Sequence, residues 1–291
     1  MPKHSQPSLD SPTKALKCGQ LPPSYLICPP RYYDTHFLFN PWMTYRERVN
    51  KHRAWRQWRD LVRALESAGA QVETIEPVPD SAAMVFTADA ALVLEQKNVL
   101  LLSNDGPRGE LEPPLFRSWF HANGYVIESM PSTRRLDGGN LVRLHNGSLA
   151  IGLKPGAVGR AETYLAKRLK MTSSAAAVVP IALIQKHFLH LDMVLGNVGG
   201  KAYLVYPEAF ALGLDGIHNT PLLEKEVIRL DRGDAEAYAA NLVTVGDVVI
   251  TGKISEDLRR RISSYGFWVE ELPLTEFYKA GGGAKCLTLP L

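Results

Sequence analysis

One cysteine close to the end of the chain is placed where it could act as a nucleophile. Cys286 follows the glycine run Gly281–Gly283, with two residues between them. Glycine allows a backbone to approach another group closely, and a cysteine thiolate is a strong nucleophile. A lone cysteine without this context is more often a small buried apolar residue. The glycine run favours the catalytic interpretation.

Four further polar residues stand where apolar segments begin, and they could complete such a site. Together with Cys286, the residues Asp89, Asp137, His190 and Asn241 follow one another at intervals of 48, 53, 51 and 45 residues. An imidazole can donate and accept a proton near neutral pH, and carboxylates bind cationic substrates. A structural alternative exists for each type, because histidine can be a hydrogen-bonded core residue and aspartate before glycine is common in turns. The shared period favours one common site.

The segments that follow these polar residues are typical of β-hairpins. Residues 91–103, 140–153, 193–207 and 241–252 each contain two apolar runs around a turn. Helical stretches lie between them, as in residues 46–69, where apolar residues recur on one face and a glycine ends the pattern. A further strand usually follows each helical stretch. The repeating unit is therefore a hairpin, a helix and a strand.

A repeat of about 50 residues predicts a radial or stacked array. The last unit is incomplete, since residues 286–291 have room for one strand only. The apolar run at residues 25–30 is its natural partner, and their pairing would close a ring of five units. Closure also removes exposed sheet edges. We therefore predict an α/β fold of five blades in which the polar residues face a common axis.

Composition excludes several classes of protein. The chain has 291 residues, 45% hydrophobic and 22% charged, with a formal net charge of +3. Lysine and arginine are scattered, which argues against a nucleic-acid partner. Three cysteines, Cys18, Cys28 and Cys286, form neither a disulfide framework nor a zinc motif, so we expect a reducing cytoplasm. Neither a metal nor another cofactor is predicted.

The two ends of the chain differ in character. Residues 1–23 are rich in Ser, Pro, Lys and Gln and lack the apolar core of a signal peptide. We expect a disordered tail there and one catalytic domain at residues 24–291. No apolar run is long enough to span a bilayer, so no membrane partner is expected.

Six segments, in the same order, resemble the guanidino-group-modifying enzymes of the five-bladed α/β-propeller, or pentein, fold. They are CPPRYYDTHFLFNPWM, MVFTADAALV, RGE, LDGGN, HLD and EFYKAGGGAKCLTL. In that family a cysteine thiolate attacks the central guanidinium carbon, an amine leaves, and water or an amine resolves the thiouronium intermediate. The family includes arginine deiminases, dimethylargininases, amidinotransferases and arginine dihydrolases.

The resemblance implies a catalytic role for three residues. Cys286 matches the nucleophile, and His190 matches the acid that protonates the leaving amine and then the base that activates water. Asp137 matches the carboxylate that holds the guanidinium nitrogens. Lys285 is expected to point away from the site.

The resemblance also implies substrate contacts. Asp89 and Asp192 match guanidinium-binding carboxylates, and Arg108 matches an arginine that holds a substrate carboxylate. Asn40, in the NPWM segment, and Asn241 are expected to contact substrate as well. A second carboxylate-binding arginine is out of register in this chain, so a guanidine without a carboxylate stays open as the substrate.

Three functions follow from these observations. The first is a hydrolase that acts on arginine, a methylarginine or a related guanidine and gives a ureido product. The second is an amidinotransferase, and the third is a ring that only binds proteins, against which the intact Cys, His and Asp set argues. An arginine dihydrolase is an alternative to the first, but that branch generally carries Asn where this chain has Asp89. We expect a small-molecule guanidine as the partner and allow for a homodimer.

Overall fold

The computed structural model describes most of the chain. The described residues are 21–35, 48–104, 108–153, 161–172, 177–184, 187–217 and 220–291. Asn40 and residues 1–20 of the predicted tail lie outside them. The division into a tail and a catalytic domain therefore stays a prediction.

Within the described residues, fifteen short strands form five sheets of three strands each. In chain order they are β1 (Ser24–Ile27), β2 (Gln71–Thr74), β3 (Ala91–Val93), β4 (Asn98–Leu101), β5 (Val126–Ser129), β6 (Leu141–Arg143), β7 (Leu149–Leu153), β8 (Val178–Ala182), β9 (Leu195–Val198), β10 (Ala202–Val205), β11 (Glu226–Arg229), β12 (Val243–Val245), β13 (Val248–Thr251), β14 (Trp268–Glu271) and β15 (Leu289–Pro290).

Each sheet repeats one topology. In β3-β4-β5, β6-β7-β8, β9-β10-β11 and β12-β13-β14 the first two strands form an antiparallel hairpin, and the third pairs in parallel with the middle strand. The fifth sheet, β15-β1-β2, has the same arrangement with its first strand taken from the end of the chain. The predicted pseudo-fivefold α/β propeller is confirmed, including all four hairpins.

The α-helices of the described residues lie between strands. They are α1 (Lys51–Ser67), α2 (Arg108–Ala122), α3 (Ala161–Thr172), α4 (Arg232–Glu236), α5 (Glu256–Ser264) and α6 (Thr275–Tyr278). Helices α1, α2, α3 and α5 each connect the middle strand of a sheet to its parallel outer strand, whereas α4 and α6 connect one sheet to the next. Asn50 caps α1 by accepting a hydrogen bond from the backbone N–H of Arg53 at 3.0 Å. None of the helices in the described ranges is both long and apolar enough to cross a membrane.

The sheet β9-β10-β11 departs from the predicted repeat. Between β10 and β11 the chain forms three short 3₁₀ helices, at Pro207–Ala209, Gly213–Ile217 and Pro221–Glu224, in place of an α-helix. Two prolines and a glycine at positive φ interrupt this connection, and such residues do not support a continuous helix.

The first and last strands close the propeller. In their antiparallel pairing Leu26 lies opposite Leu289, and the two residues are only 0% and 3% exposed. Both belong to one apolar cluster with Phe116 and Phe120. The Thr87 hydroxyl donates hydrogen bonds to the backbone oxygens of Leu26 and Leu287, at 2.8 and 3.2 Å. The terminal segment that carries Cys286 is therefore fixed on the adjacent blade.

Shortening one closing side chain should destabilise the whole domain. Leu289→Ala is expected to lower the free energy of unfolding by about 2–5 kcal/mol, because it removes buried methyl groups and leaves a cavity. Chemical denaturation with circular dichroism measures this change. The matched control is Leu212→Ala at a leucine that is 70% exposed, where a change within about 0.5 kcal/mol is expected. Equal effects of the two substitutions would contradict the closing role of β15.

Candidate active site

Short 3₁₀ turns position four of the candidate residues, since Asp89 and Asp192 lie within such turns and Asp137 and His190 directly precede them. The turns span Thr87–Asp89, Gly138–Asn140 and Leu191–Met193, and each directly precedes a hairpin or lies at its start. Neighbouring turns touch closely: a Cβ on Gly138 would lie 1.9 Å from the backbone oxygen of Ala88. A side chain would not fit there. The two glycines after Asp137 therefore allow adjacent blades to bring their polar residues together.

His190 lies between two carboxylates. Its Nε2 is 3.4 Å from Asp137 Oδ2, and its Nδ1 is 3.9 Å from Asp89 Oδ1. Burial by itself lowers the pKa of His190, but Asp89 and the hydrogen bond to Asp137 outweigh it and raise that pKa to about 9. At neutral pH the ring is therefore protonated, and it can give up a proton to a neighbouring group.

Asp89 is buried and already holds two donors. Its Oδ1 accepts the backbone N–H of Gly139 at 2.9 Å, and its Oδ2 accepts Arg108 Nη1 at 2.9 Å. Arg108 also donates through Nε to both oxygens of Glu112, at 3.0 and 3.1 Å, and through Nη2 to the backbone oxygen of Phe86. Burial lowers the pKa of Arg108, but the two carboxylates outweigh it and raise that pKa. The arginine thus faces protein groups.

Asn241 holds the cysteine in place. Its Oδ1 accepts the backbone N–H groups of Cys286 and Gly283, both at 3.1 Å, and its Nδ2 lies 3.0 Å from Cys286 Sγ. Asn241 is fully buried, with no exposed surface. The structure therefore gives this residue contacts with the cysteine segment, where substrate contacts were predicted.

Backbone conformation and close packing explain why glycines precede the cysteine. Gly281 has a φ of +81°, which favours glycine. A Cβ on Gly282 would lie 2.3 Å from Cε1 of Phe86, and one on Gly283 would lie 2.9 Å from Asn241 Oδ1. Larger residues at these two positions would separate Cys286 from the neighbouring blades.

Lys285 points into the site, so the expectation that it points away was wrong. Its Nζ donates to Asp192 Oδ2 at 2.7 Å, and the same carboxylate lies 3.8 Å (Oδ2) and 4.0 Å (Oδ1) from Cys286 Sγ. In an extended strand the side chains of Lys285 and Cys286 would point to opposite faces. Residues 284–287 form a turn instead, in which the N–H of Thr288 donates to the backbone oxygen of Lys285. Adjacent side chains can therefore reach one site.

The thiol of Cys286 is buried and faces negative charge. Burial raises its pKa well above the usual range, Asp192 and Asp89 raise it further, and Lys285 opposes this effect. In the free protein the group is therefore a neutral thiol at neutral pH. A cation that enters the site would favour the thiolate.

Three carboxylates thus converge here, and we name Asp89, Asp137 and Asp192 the carboxylate cluster. Three cationic side chains contact this cluster, and they are Arg108, His190 and Lys285. Among the residues that the structure describes, no group of three or more His, Cys, Asp or Glu side chains could hold a metal ion. The arrangement presents acceptors for a planar, multiply hydrogen-bonding cation beside a thiol.

The structure brings most of the predicted residues together. The interacting ones are Cys286, His190, Asp137, Asp89, Asp192, Arg108 and Asn241. Asn40 lies outside the described residues. Sequence reasoning missed Lys285 as a site residue and overlooked Glu112. The four-residue spacing of Arg108 and Glu112 on α2 was a usable signal, because side chains at that spacing are neighbours on a helix.

Comparison with known proteins places these features in a family. The bifunctional arginine dihydrolase/ornithine cyclodeaminase ArgZ of Synechocystis sp. is 34% identical to this chain over 267 residues, which are 91% of the chain and 37% of that protein. The chain thus spans little more than a third of that relative's length. The N(G),N(G)-dimethylarginine dimethylaminohydrolase of Mycobacterium tuberculosis is 26% identical over 268 residues, covering 92% of the chain and 85% of that protein.

A solved structure gives the likeness in three dimensions. It is a variant of the N-terminal domain of ArgZ covalently bound to a reaction intermediate, with a TM-score of 0.82 and 34% identity to this chain. The match covers 92% of this chain and 97% of that one. No protein-family model matches the chain. The identity and coverage of this match, together with the five three-stranded sheets and the convergent site, show that the chain belongs to the guanidino-group-modifying, or pentein, superfamily.

Proposed function

We propose that the protein hydrolyses the guanidinium group of arginine, a methylarginine or a related guanidine and releases a ureido product with ammonia or an amine. The observation that carries this proposal is the position of Cys286 Sγ, within 4.0 Å of both oxygens of a buried carboxylate and hydrogen-bonded to Asn241. A thiol among carboxylates suits a substrate that is both cationic and electrophilic at carbon. The guanidinium group has both properties.

Substrate binding and activation of the thiol are coupled in this proposal. An ionised carboxylate offers about four acceptor sites, so Asp89 keeps room for a guanidinium N–H beside its two protein donors. Burial and negative charge together keep Cys286 in its thiol form, and the bound cation offsets the negative charge. The thiol therefore loses its proton to solvent and becomes a thiolate when its substrate is present, and it is mainly the less reactive thiol otherwise.

The reaction then proceeds in two stages. The Cys286 thiolate forms a bond to the central guanidinium carbon, and the C–N bond to the departing nitrogen breaks as His190 supplies a proton to that nitrogen. His190, now neutral, takes a proton from water, and the hydroxide attacks the thiouronium carbon. The C–S bond breaks with its electron pair on sulfur. The products are the ureido compound, ammonia or an amine in protonated form, and the regenerated cysteine.

The identity of residue 89 sets how far the reaction goes. A carboxylate binds a cationic guanidinium through charge-assisted hydrogen bonds, whereas a neutral ureido group offers it much less. We therefore propose release after one hydrolysis. Arg108 supports this role by holding Asp89 Oδ2 at 2.9 Å, and it serves as a positioning residue for that carboxylate in the unliganded site.

Titration of His190 tests the acid role directly. We expect an NMR titration of the imidazole protons to give a midpoint of about 9, because Asp89 and Asp137 stabilise the charged ring. The pKa is raised, so the protonated ring is fully present near neutral pH and is lost as the pH rises through about 9. Asp137→Asn should move the midpoint toward the ordinary value of about 6.5. His190→Gln identifies the resonance, and a wild-type midpoint near 6.5 would contradict the carboxylate contacts.

Product analysis tests the proposed function itself. Purified protein is incubated with arginine, a dimethylarginine and a guanidine without a carboxylate, each with and without an added primary amine. We expect a ureido product plus ammonia or methylated amine with at least one of them, independent of the added amine. Amidine transfer to the added amine would favour an amidinotransferase, and no conversion of any guanidine would contradict the proposal.

The same assay tests the role of residue 89. Asp89→Asn should shift the output toward the doubly hydrolysed amine, such as ornithine from arginine. The matched control is Asp247→Asn, which makes the same chemical change at an exposed hairpin turn and should leave the product ratio unchanged. Ornithine as the main wild-type product would show that Asp89 does not limit the reaction to one step.

A further inference from the structure

Lys285 forms a short chain of contacts that ends at the nucleophilic sulfur. Its Nζ lies 2.7 Å from Asp192 Oδ2, and that oxygen lies 3.8 Å from Cys286 Sγ. The other oxygen of Asp192, Oδ1, is 4.0 Å from the sulfur. Both oxygens of Asp192 therefore lie beside the thiol, and the ammonium group binds one of them, Oδ2.

The backbone fixes this arrangement through a single residue. The N–H of Lys285 donates to the backbone oxygen of Asn241 at 3.3 Å, and the N–H of Cys286 donates to its side-chain Oδ1 at 3.1 Å. Asn241 Nδ2 also lies 3.5 Å from the backbone oxygen of Asp192. Lysine, cysteine and aspartate are therefore all held by one buried asparagine.

The charges of Asp192 and Lys285 have opposite effects on the stability of the Cys286 thiolate. Asp192 has no exposed surface, and a buried carboxylate without a partner is strongly unfavourable. Its negative charge also disfavours a thiolate at 3.8–4.0 Å. Lys285, whose side chain keeps 25% of its surface exposed, supplies the opposite charge. Burial lowers the pKa of Lys285, but Asp192 and Cys286 raise it overall, so the ammonium form persists at neutral pH.

We propose that Lys285 is a positioning residue for the reaction, which holds Asp192 by one oxygen, directs the other toward the substrate, and offsets the repulsion between Asp192 and the Cys286 thiolate. The inference rests on the proposed function, because it takes Cys286 as the nucleophile. A purely structural ion pair would stabilise the fold and leave the reactivity of the sulfur unchanged. The pH dependence of that reactivity separates the two roles.

The experiment measures alkylation of Cys286 by iodoacetamide in the full chain without substrate. Peptide mapping by mass spectrometry separates Cys286 from Cys18 and Cys28, and the rate is followed from pH 6 to pH 11. In this reaction the thiolate displaces iodide, and the thiol proton passes to the buffer. We expect Lys285→Met to slow alkylation about tenfold at a fixed pH below the pKa of the Cys286 thiol. That change corresponds to an upward shift of about one unit in this pKa. Lys285→Arg keeps the charge and should stay close to the wild-type profile.

A second background covers the case in which Lys285→Met fails to fold because Asp192 loses its partner. Asp192→Asn removes the carboxylate charge and should by itself speed alkylation. In that background Lys285→Met leaves no unpaired buried carboxylate, and it should again slow the reaction. Circular dichroism confirms folding of each variant. A profile of Lys285→Met that coincides with that of its parent in every background in which the variant folds would overturn the inference.

This outcome is distinct from failure of the proposed function. The alkylation profile needs no substrate, whereas the proposed function is read from guanidine turnover by the wild-type protein. Turnover together with unchanged alkylation would overturn the role of Lys285 alone. A shifted profile without any guanidine turnover would support the charge effect on Cys286 and contradict its use as a guanidine-directed nucleophile, so the positioning role would fall with the proposed function.

Discussion

The structure depends on keeping three carboxylates together in a largely buried space at the meeting point of the blades. Each member of the carboxylate cluster has a cationic contact: Arg108 for Asp89, His190 for Asp137 and Lys285 for Asp192. Without these contacts the cluster would be unfavourable, because like charges close together repel and burial favours their neutral forms. Protein cations stabilise the cluster, and in the proposed function a guanidinium shares the same acceptors. The proposed charge balance would thus link stability to substrate choice.

This balance in turn depends on closure of the propeller. The residues of the site come from different blades, and some of their contacts span large separations, such as the 50 residues between Asp89 and Gly139 and the 94 between Asp192 and Cys286. The contact of Cys286 also depends on the pairing of β15 with β1 and on the packing of Gly282 against Phe86, because these hold the terminal segment in place. The cysteine is held by backbone and amide hydrogen bonds from Asn241. A buried thiol with a raised pKa is then protected from adventitious chemistry until a cation arrives.

The sequence predicted the repeat and the convergence because hairpin patterns and polar residues recur at one period. It could not predict the direction of Lys285, since that depends on whether residues 284–287 are a strand or a turn, and tertiary contacts with Asn241 decide this. The contact between Arg108 and Asp89 was equally hidden, because residue types do not show which of several carboxylates an arginine will face. The missing α-helix between β10 and β11 was predictable in principle from Pro207 and Pro221.

Covalent trapping at the cysteine tests the central claim most directly. Wild-type protein is mixed with a guanidine that it converts, quenched in acid during turnover, digested and mapped by mass spectrometry. The account predicts an amidine adduct on the peptide that contains Cys286, and none in protein that carries Cys286→Ser. An adduct found only on Cys28, or turnover that persists in the Cys286→Ser protein, would contradict it.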